Sequence, residues 1–196
     1  METLNQYGIR NSDYNDRQLK ILNMGIFMGI DISYYAYPEL DDKQMWVIFE
    51  GLVNNLDVTV YNKPWFTYKQ MEVLFDGLQN GINIKCLART DLNHKQMFEM
   101  LIGMMNGINM ERHINKGLSY RQLKQVRLGE EHNINTSTYA YCYNSVLNMF
   151  INRILLEHNI NPEEHRLLIL AERLVNKIYR VYRKIFIGSN YVRKCV

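Results

Sequence analysis

The chain has 196 residues, 47% of them hydrophobic and 22% charged, which excludes a disordered chain and bounds the fold at one large domain or two small ones. The net charge is +3, but residues 1–111 carry 9 Lys or Arg against 14 Asp or Glu, and residues 112–196 carry 14 against 6. An acidic or nucleic-acid partner would therefore meet the C-terminal end, unless that excess is only a solvated helix face.

Residues 1–13 read as an N-terminal cap. They hold no apolar core of a signal peptide, and no apolar run of 18 residues follows to cross a membrane. Cys86, Cys142 and Cys195 are odd in number and form no CxxC pair, which fits a reducing, cytoplasmic setting.

From residue 14 the chain repeats itself. Gln18, Gln44, Gln70, Gln96 and Gln122 are spaced by 26. Leu or Met follows each. Seven residues after each comes Gly25, Gly51, Gly77, Gly103 or Gly129, and thirteen after comes Asp31, Asp57, Asn83, Asn109 or Asn135. Three residues before each Gln stands a helix N-cap type: Asn15, Asp41, Thr67, Asn93, Ser119. The residue before each cap is Tyr14, Leu40, Phe66, Leu92 or Leu118, which can staple onto the Leu or Met of the first turn. Each helix should stop at Gly29, Asn55, Gly81, Gly107 or Asn133, since Gly and Asn accept a left-handed C′ position at least cost.

Within each helix, positions one, four, eight and twelve after the Gln share a mostly apolar face. The Gln and the Gly lie together on its flank. A recurrent mid-helix Gly implies close approach of a neighbouring backbone, which the Gln amide could bond. Next come IDISYY, LDVTVY and INIKCL, whose alternation reads as brief strands or extended returns. Identical single-helix units favour one repeated screw operation, with helices side by side in one direction. The expected fold is mainly α, a solenoid of 26-residue units with short extended returns. The alternative is an α/β solenoid carrying a short parallel sheet.

EHNIN occurs at 131–135 and again at 157–161. The second copy closes a decayed sixth unit, with Ser145 as cap, Asn148 in the Gln position and Leu155 in the Gly position, so the repeats fill 14–161. Residues 162–196 read as a capping helix and tail. Asn161-Pro162-Glu163-Glu164 is a helix start, and the helix could run to about Ile187, before Gly188. Arg166, Arg173, Lys177, Arg180 and Lys184 form a basic stripe on it, a candidate site for nucleic acid or an acidic partner.

No residue set demands catalysis. Cys86 and His94 lack a third member and an oxyanion site. His132 and His158, beside Glu131 and Glu157, are explained by the helix dipole without a metal. No enzyme activity, metal or other cofactor is therefore expected. The outward face varies while the frame stays fixed, and its apolar members Met24, Trp46, Phe98 and Ile102 make a candidate partner patch.

The string KQMWVIFEGLVNNLDVTVY and its echo KQMEVLFDGLQNGINI resemble a repeat of uncharacterised proteins of bacterial phages and conjugative elements, which reads xxQMxxIxxGLxxGLDVxxYAxPxF. The resemblance covers about residues 14–135. It brings no activity with it. It implies a mobile-element setting, where small binding proteins disable host defences, CRISPR nucleases among them. The expectation is a non-catalytic binding protein with a protein or ribonucleoprotein partner. Direct nucleic-acid binding through the basic helix is the alternative.

Overall fold

A computed structural model describes residues 4–182, and every regular element in them is helical. Six helices of similar length follow one another: α1 (Asp16–Met28), α2 (Asp42–Val53), α3 (Tyr68–Gln79), α4 (His94–Met105), α5 (Tyr120–Glu131) and α6 (Val146–Glu157). A longer α7 (Pro162–Tyr182) ends the described chain. The segment before α1 forms two short 3-10 turns, from which Leu4 enters the core.

Starts and stops are local and recur unit by unit. Asn15, Asp41, Thr67, Asn93, Ser119 and Ser145 each accept a hydrogen bond from the backbone N–H three residues on. In the first five helices the Gln side chain reaches back to the cap's own N–H, completing a capping box. At the far ends Gly29, Asn55, Gly81, Gly107, Asn133 and Asn159 all have φ between 57° and 77°. The next residue's amide then returns to a carbonyl one turn back, as Ile30 does to Gly25 at 2.8 Å.

The returns differ from the expected strands, and no strand or sheet occurs among the described residues. Ile32–Tyr34, Val58–Val60, Met110–His113 and Thr136–Thr138 are 3-10 turns. Asp31, Asp57 and Asn135 cap theirs by accepting the N–H two residues on at 2.9, 3.1 and 3.1 Å, a role open to both Asp and Asn. Two apolar residues three apart then fall on one side of the turn. Ile32 and Tyr35, Val58 and Tyr61, and Ile84 and Leu87 are all buried. The spacing that looked like alternation along a strand is the i, i+3 face of a tight turn.

Those buried side chains also explain the glycines, and they correct the expectation of a neighbouring backbone. A Cβ on Gly25, Gly51 or Gly129 would overlap the hydroxyl of Tyr35, Tyr61 or Tyr139. On Gly77 it would overlap Ile84, and on Gly103 it would strike Met110. Each glycine is a socket for the return of its own unit. Unit six has no such return, because α7 starts at once, and Leu155 can stand in the socket position.

Consecutive helices pack on one another from α1 through α6. Arg17 at the start of α1 meets Asp42 at the start of α2 (3.5 Å). Asn106, just past α4, donates to Glu131 at the end of α5 (2.7 Å). Like ends adjoin at both interfaces, so these helices run in the same direction. The Gln amide joins each unit to the next: Gln18 to the Leu40 carbonyl (2.7 Å), Gln44 to Phe66 (2.6 Å), Gln70 to Leu92 (2.8 Å), Gln96 to Leu118 (2.8 Å) and Gln122 to Asn144 (2.7 Å).

The core is therefore one continuous strip, from Leu22 through Ile48, Leu74, Met100 and Val126 to Met149. α7 meets α6, yet every residue from Arg166 to Val181 is exposed. The helix expected to cap the array is therefore uncovered along that length among the described residues.

Candidate interaction surfaces

The outward-facing residues singled out from the sequence are spread over α1, α2 and α4. Met24 is half-buried and lines a hollow on α1 beside an exposed Phe27. Trp46 is exposed on α2, and its ring sits 5.5 Å from Phe49 of the same helix. Phe98, also exposed, lines a groove between α3 and α4 with Lys69, Glu72, Asp76 and Tyr120. Ile102 is half-buried one turn further along α4. Phe98 and Ile102, four apart on one helix, share a face of α4.

A second variable surface lies on the returns, and the sequence reading missed it. Nineteen residues after each Gln stand Tyr37, Lys63, Arg89, Asn115 and Tyr141. Twenty-one after stand Glu39, Trp65, Asp91, Gly117 and Tyr143. These positions sit just ahead of each N-cap, on the rim of the array. Trp65 is 62% exposed and Tyr143 78% exposed. Tyr141 and Tyr143 stack with centroids 5.2 Å apart. The rim is continuous where it can be traced: Arg89 pairs with Asp91 (2.7 Å) and donates to Asn115 of the next unit (2.9 Å). The readable signal was variation at fixed repeat positions beside a recurring N-cap.

At the far end the rim meets α7. A cleft of 740 Å³ is lined by Tyr141, Tyr143, Asn152, Asn161 and Arg166, among others. Arg166, Arg173, Lys177 and Arg180 are all exposed on α7. Lys184 lies outside the described residues.

Between helices the chemistry changes along the array. Positions three and five after the Gln are Val47 and Phe49 in α2, and Val73 and Phe75 in α3. In α5 and α6 the fifth position is Arg127 and Arg153, both buried. Arg127 donates to Glu99 of α4 (3.0 Å) and to Glu131 of its own helix (2.7 Å). Arg153 repeats the pattern with Gln125 (3.2 Å) and Glu157. His132 Nδ1 lies 2.7 Å from Glu157, just as Asn106 meets Glu131. The doubled EHNIN is thus an interlocking part: the His of one copy holds the Glu of the next. Burial alone would raise the Glu131 carboxyl, but hydrogen bonds from Arg127 and Asn106 hold it below its ordinary value.

His113 occupies the socket-side position held by Tyr35, Tyr61 and Tyr139 in other units. It is buried, its Nε2 lies 3.4 Å from Glu130, and its Nδ1 has no hydrogen-bond partner. Burial, then Lys116, push its pKa down to about 4, against the opposing pull of Glu130. Cys86 is half-buried, with its sulfur 4.0 Å from Met104 Sδ. Burial, then Glu111, push the thiol up to about 11, which makes it a poor nucleophile at neutral pH. No group of three or more His, Cys, Asp or Glu suited to a metal ion occurs among the described residues, and no described helix is long and apolar enough to cross a membrane.

No protein-family model matches the chain, and no curated protein or solved structure matches it either.

Proposed function

We propose that the chain is a non-catalytic solenoid that works by docking its rim on a protein or ribonucleoprotein partner. The observation that carries this reading is the placement of Trp65, Tyr141 and Tyr143 at variable positions on an otherwise repeated frame. Large aromatics that the core does not use are the residues that anchor macromolecular interfaces. A frame conserved by packing, with free choice at a few positions per unit, is how repeat proteins build extended binding surfaces.

The resemblance to phage and conjugative-element repeats supplies the setting: the partner is a host-defence complex such as a CRISPR-Cas nuclease, and docking inhibits it. Affinity capture from a host expressing such nucleases, followed by a cleavage assay with the captured enzyme, tests this. Capture and inhibition should both fall when Trp65 and Tyr143 are changed to Ala. Undiminished inhibition by that variant would reject the rim.

A second reading rests on the four exposed cations of α7, which could follow a phosphate backbone directly. Such a complex would weaken steeply as salt rises, whereas an aromatic rim interface would respond far less.

A further inference from the structure

The structure leaves an unusual helix uncovered. Leu167, Ala171, Leu174, Ile178 and Val181 follow one another at alternating steps of four and three, which puts them in one straight seam. None is covered by the array: Leu167 is 65% exposed, Leu174 59% and Ile178 60%. Water does not support so continuous an apolar stripe without a partner.

We propose that this seam is covered by α7 of a second copy of the chain, running antiparallel. Charge selects both the partner and the direction. Residues 162–172 hold three Glu and one Arg, whereas residues 173–182 hold three cations and no acid. An antiparallel pair lays the acidic half of each helix on the basic half of the other; a parallel pair stacks like on like. The helix dipoles favour the same choice. One register pairs the centre of the seam, with Leu167 opposite Ile178 of the other copy and Ala171 opposite its Leu174, while Val181 meets Glu164 at either end. Leu168 and Val175 then face each other at one edge. Arg166, Arg173 and Arg180 lie about 100° or more from the centre of the seam, so pairing leaves them at the surface. An anionic membrane suits the helix less well, because Glu163 and Glu164 flank the start of the seam and would face the headgroups.

The test uses the full chain. Sedimentation velocity at micromolar concentration should report twice the single-chain mass of 23.4 kDa. Leu174→Asp with Ile178→Asp should restore the single-chain mass and leave the thermal midpoint of the array unchanged, since no array residue rests on that seam. With the native cysteines replaced by Ser, Leu167→Cys chains mixed with Ile178→Cys chains should cross-link on oxidation. Leu167→Cys chains alone should not. A single-chain mass throughout, a dimer that survives the double Asp change, or self-cross-linking of Leu167→Cys would each overturn the proposal. So would recruitment of single chains through α7 to phosphatidylserine-containing vesicles.

Discussion

Gln18 and Gln44 grip the two ends of one peptide group. Gln18 Nε2 donates to the Leu40 carbonyl at 2.7 Å, and the Asp41 N–H of that same peptide donates to Gln44 Oε1 at 2.7 Å. The arrangement recurs at Phe66–Thr67, Leu92–Asn93 and Leu118–Ser119. Side-chain amides and peptide groups thus alternate in one hydrogen-bonded line, each dipole polarising the next. The last link is Gln122 to the Asn144 carbonyl.

Breaking one link should be costly. Gln70→Ala removes the reach-back to Thr67 and leaves the Leu92 carbonyl unpaired in a buried place, a loss of about 2–3 kcal/mol. Asn148→Ala, at the same repeat position but on an exposed side chain, should change stability by less than about 0.5 kcal/mol. Urea unfolding of the two variants gives the comparison, and equal effects would mean the line contributes nothing.

The glycine sockets reverse a helix-propensity rule. Ala is ordinarily better than Gly inside a helix by up to about 1 kcal/mol. Gly129→Ala should instead destabilise by about 1–3 kcal/mol, because its methyl meets the Tyr139 hydroxyl. Tyr139→Phe should recover part of that loss in the double variant. Tyr61→Phe alone should be neutral or mildly stabilising, since the Tyr61 hydroxyl is buried without a hydrogen-bond partner. Thermal denaturation reads all three.

The ion pair between α4 and α5 is a replaceable solution to packing. Arg127→Ala strands Glu99 in a buried site and should cost about 3–5 kcal/mol. Glu99→Val with Arg127→Phe installs the pair of residue types that α2 and α3 already use at these positions, Val47 and Phe75. That double variant should match or exceed the wild type in chemical denaturation. A double variant as weak as Arg127→Ala would show that the polar pair cannot be exchanged for an apolar one.

His113 makes the array acid-sensitive. Its folded pKa lies near 4, below the ordinary 6.5 of an unfolded chain. Above pH 6.5 both states are neutral and the full stability is present. As pH falls from 6.5 towards 4, the unfolded chain takes up a proton that the folded chain refuses, so stability drops. The loss is complete once the folded His protonates too, at about 3 kcal/mol in all. His113→Leu, the residue type that Leu87 supplies one unit earlier, should flatten the unfolding free energy over that window. An unchanged slope would assign the pH dependence to other groups.

The frame was readable because its signals are local. Caps such as Thr67, left-handed stops such as Asn133 and the Gln spacing are each set by a few residues in a row. The returns were misread because IDISYY shows the same apolar spacing whether it is a strand or a tight turn. The deciding contact, Asp31 to the Ser33 amide, is a choice of side-chain rotamer. The candidate patch is spread over several helices for a different reason. Trp46 and Phe98 share a repeat position, but α3 intervenes between their helices, and position in a unit says nothing about proximity across units. Trp65 escaped notice because it lies outside the helix, where no hydrophobic periodicity draws attention to it.

The switch from Val and Phe to Glu and Arg between helices gives the array a reading order. Excising residues 42–67 would hand the Asp41 cap to Gln70 and set Phe75 against Ile21, a chemically compatible splice. Excising 120–145 would bring Arg153 to Glu99 and Glu157 to Asn106, which also match. Excising 94–119 would push Arg127 against Val73 and remove Glu99, leaving Arg127 only Glu131 of its own helix to pair with. Cassettes on either side of that boundary are interchangeable with their neighbours, while the boundary itself admits only one sequence of parts.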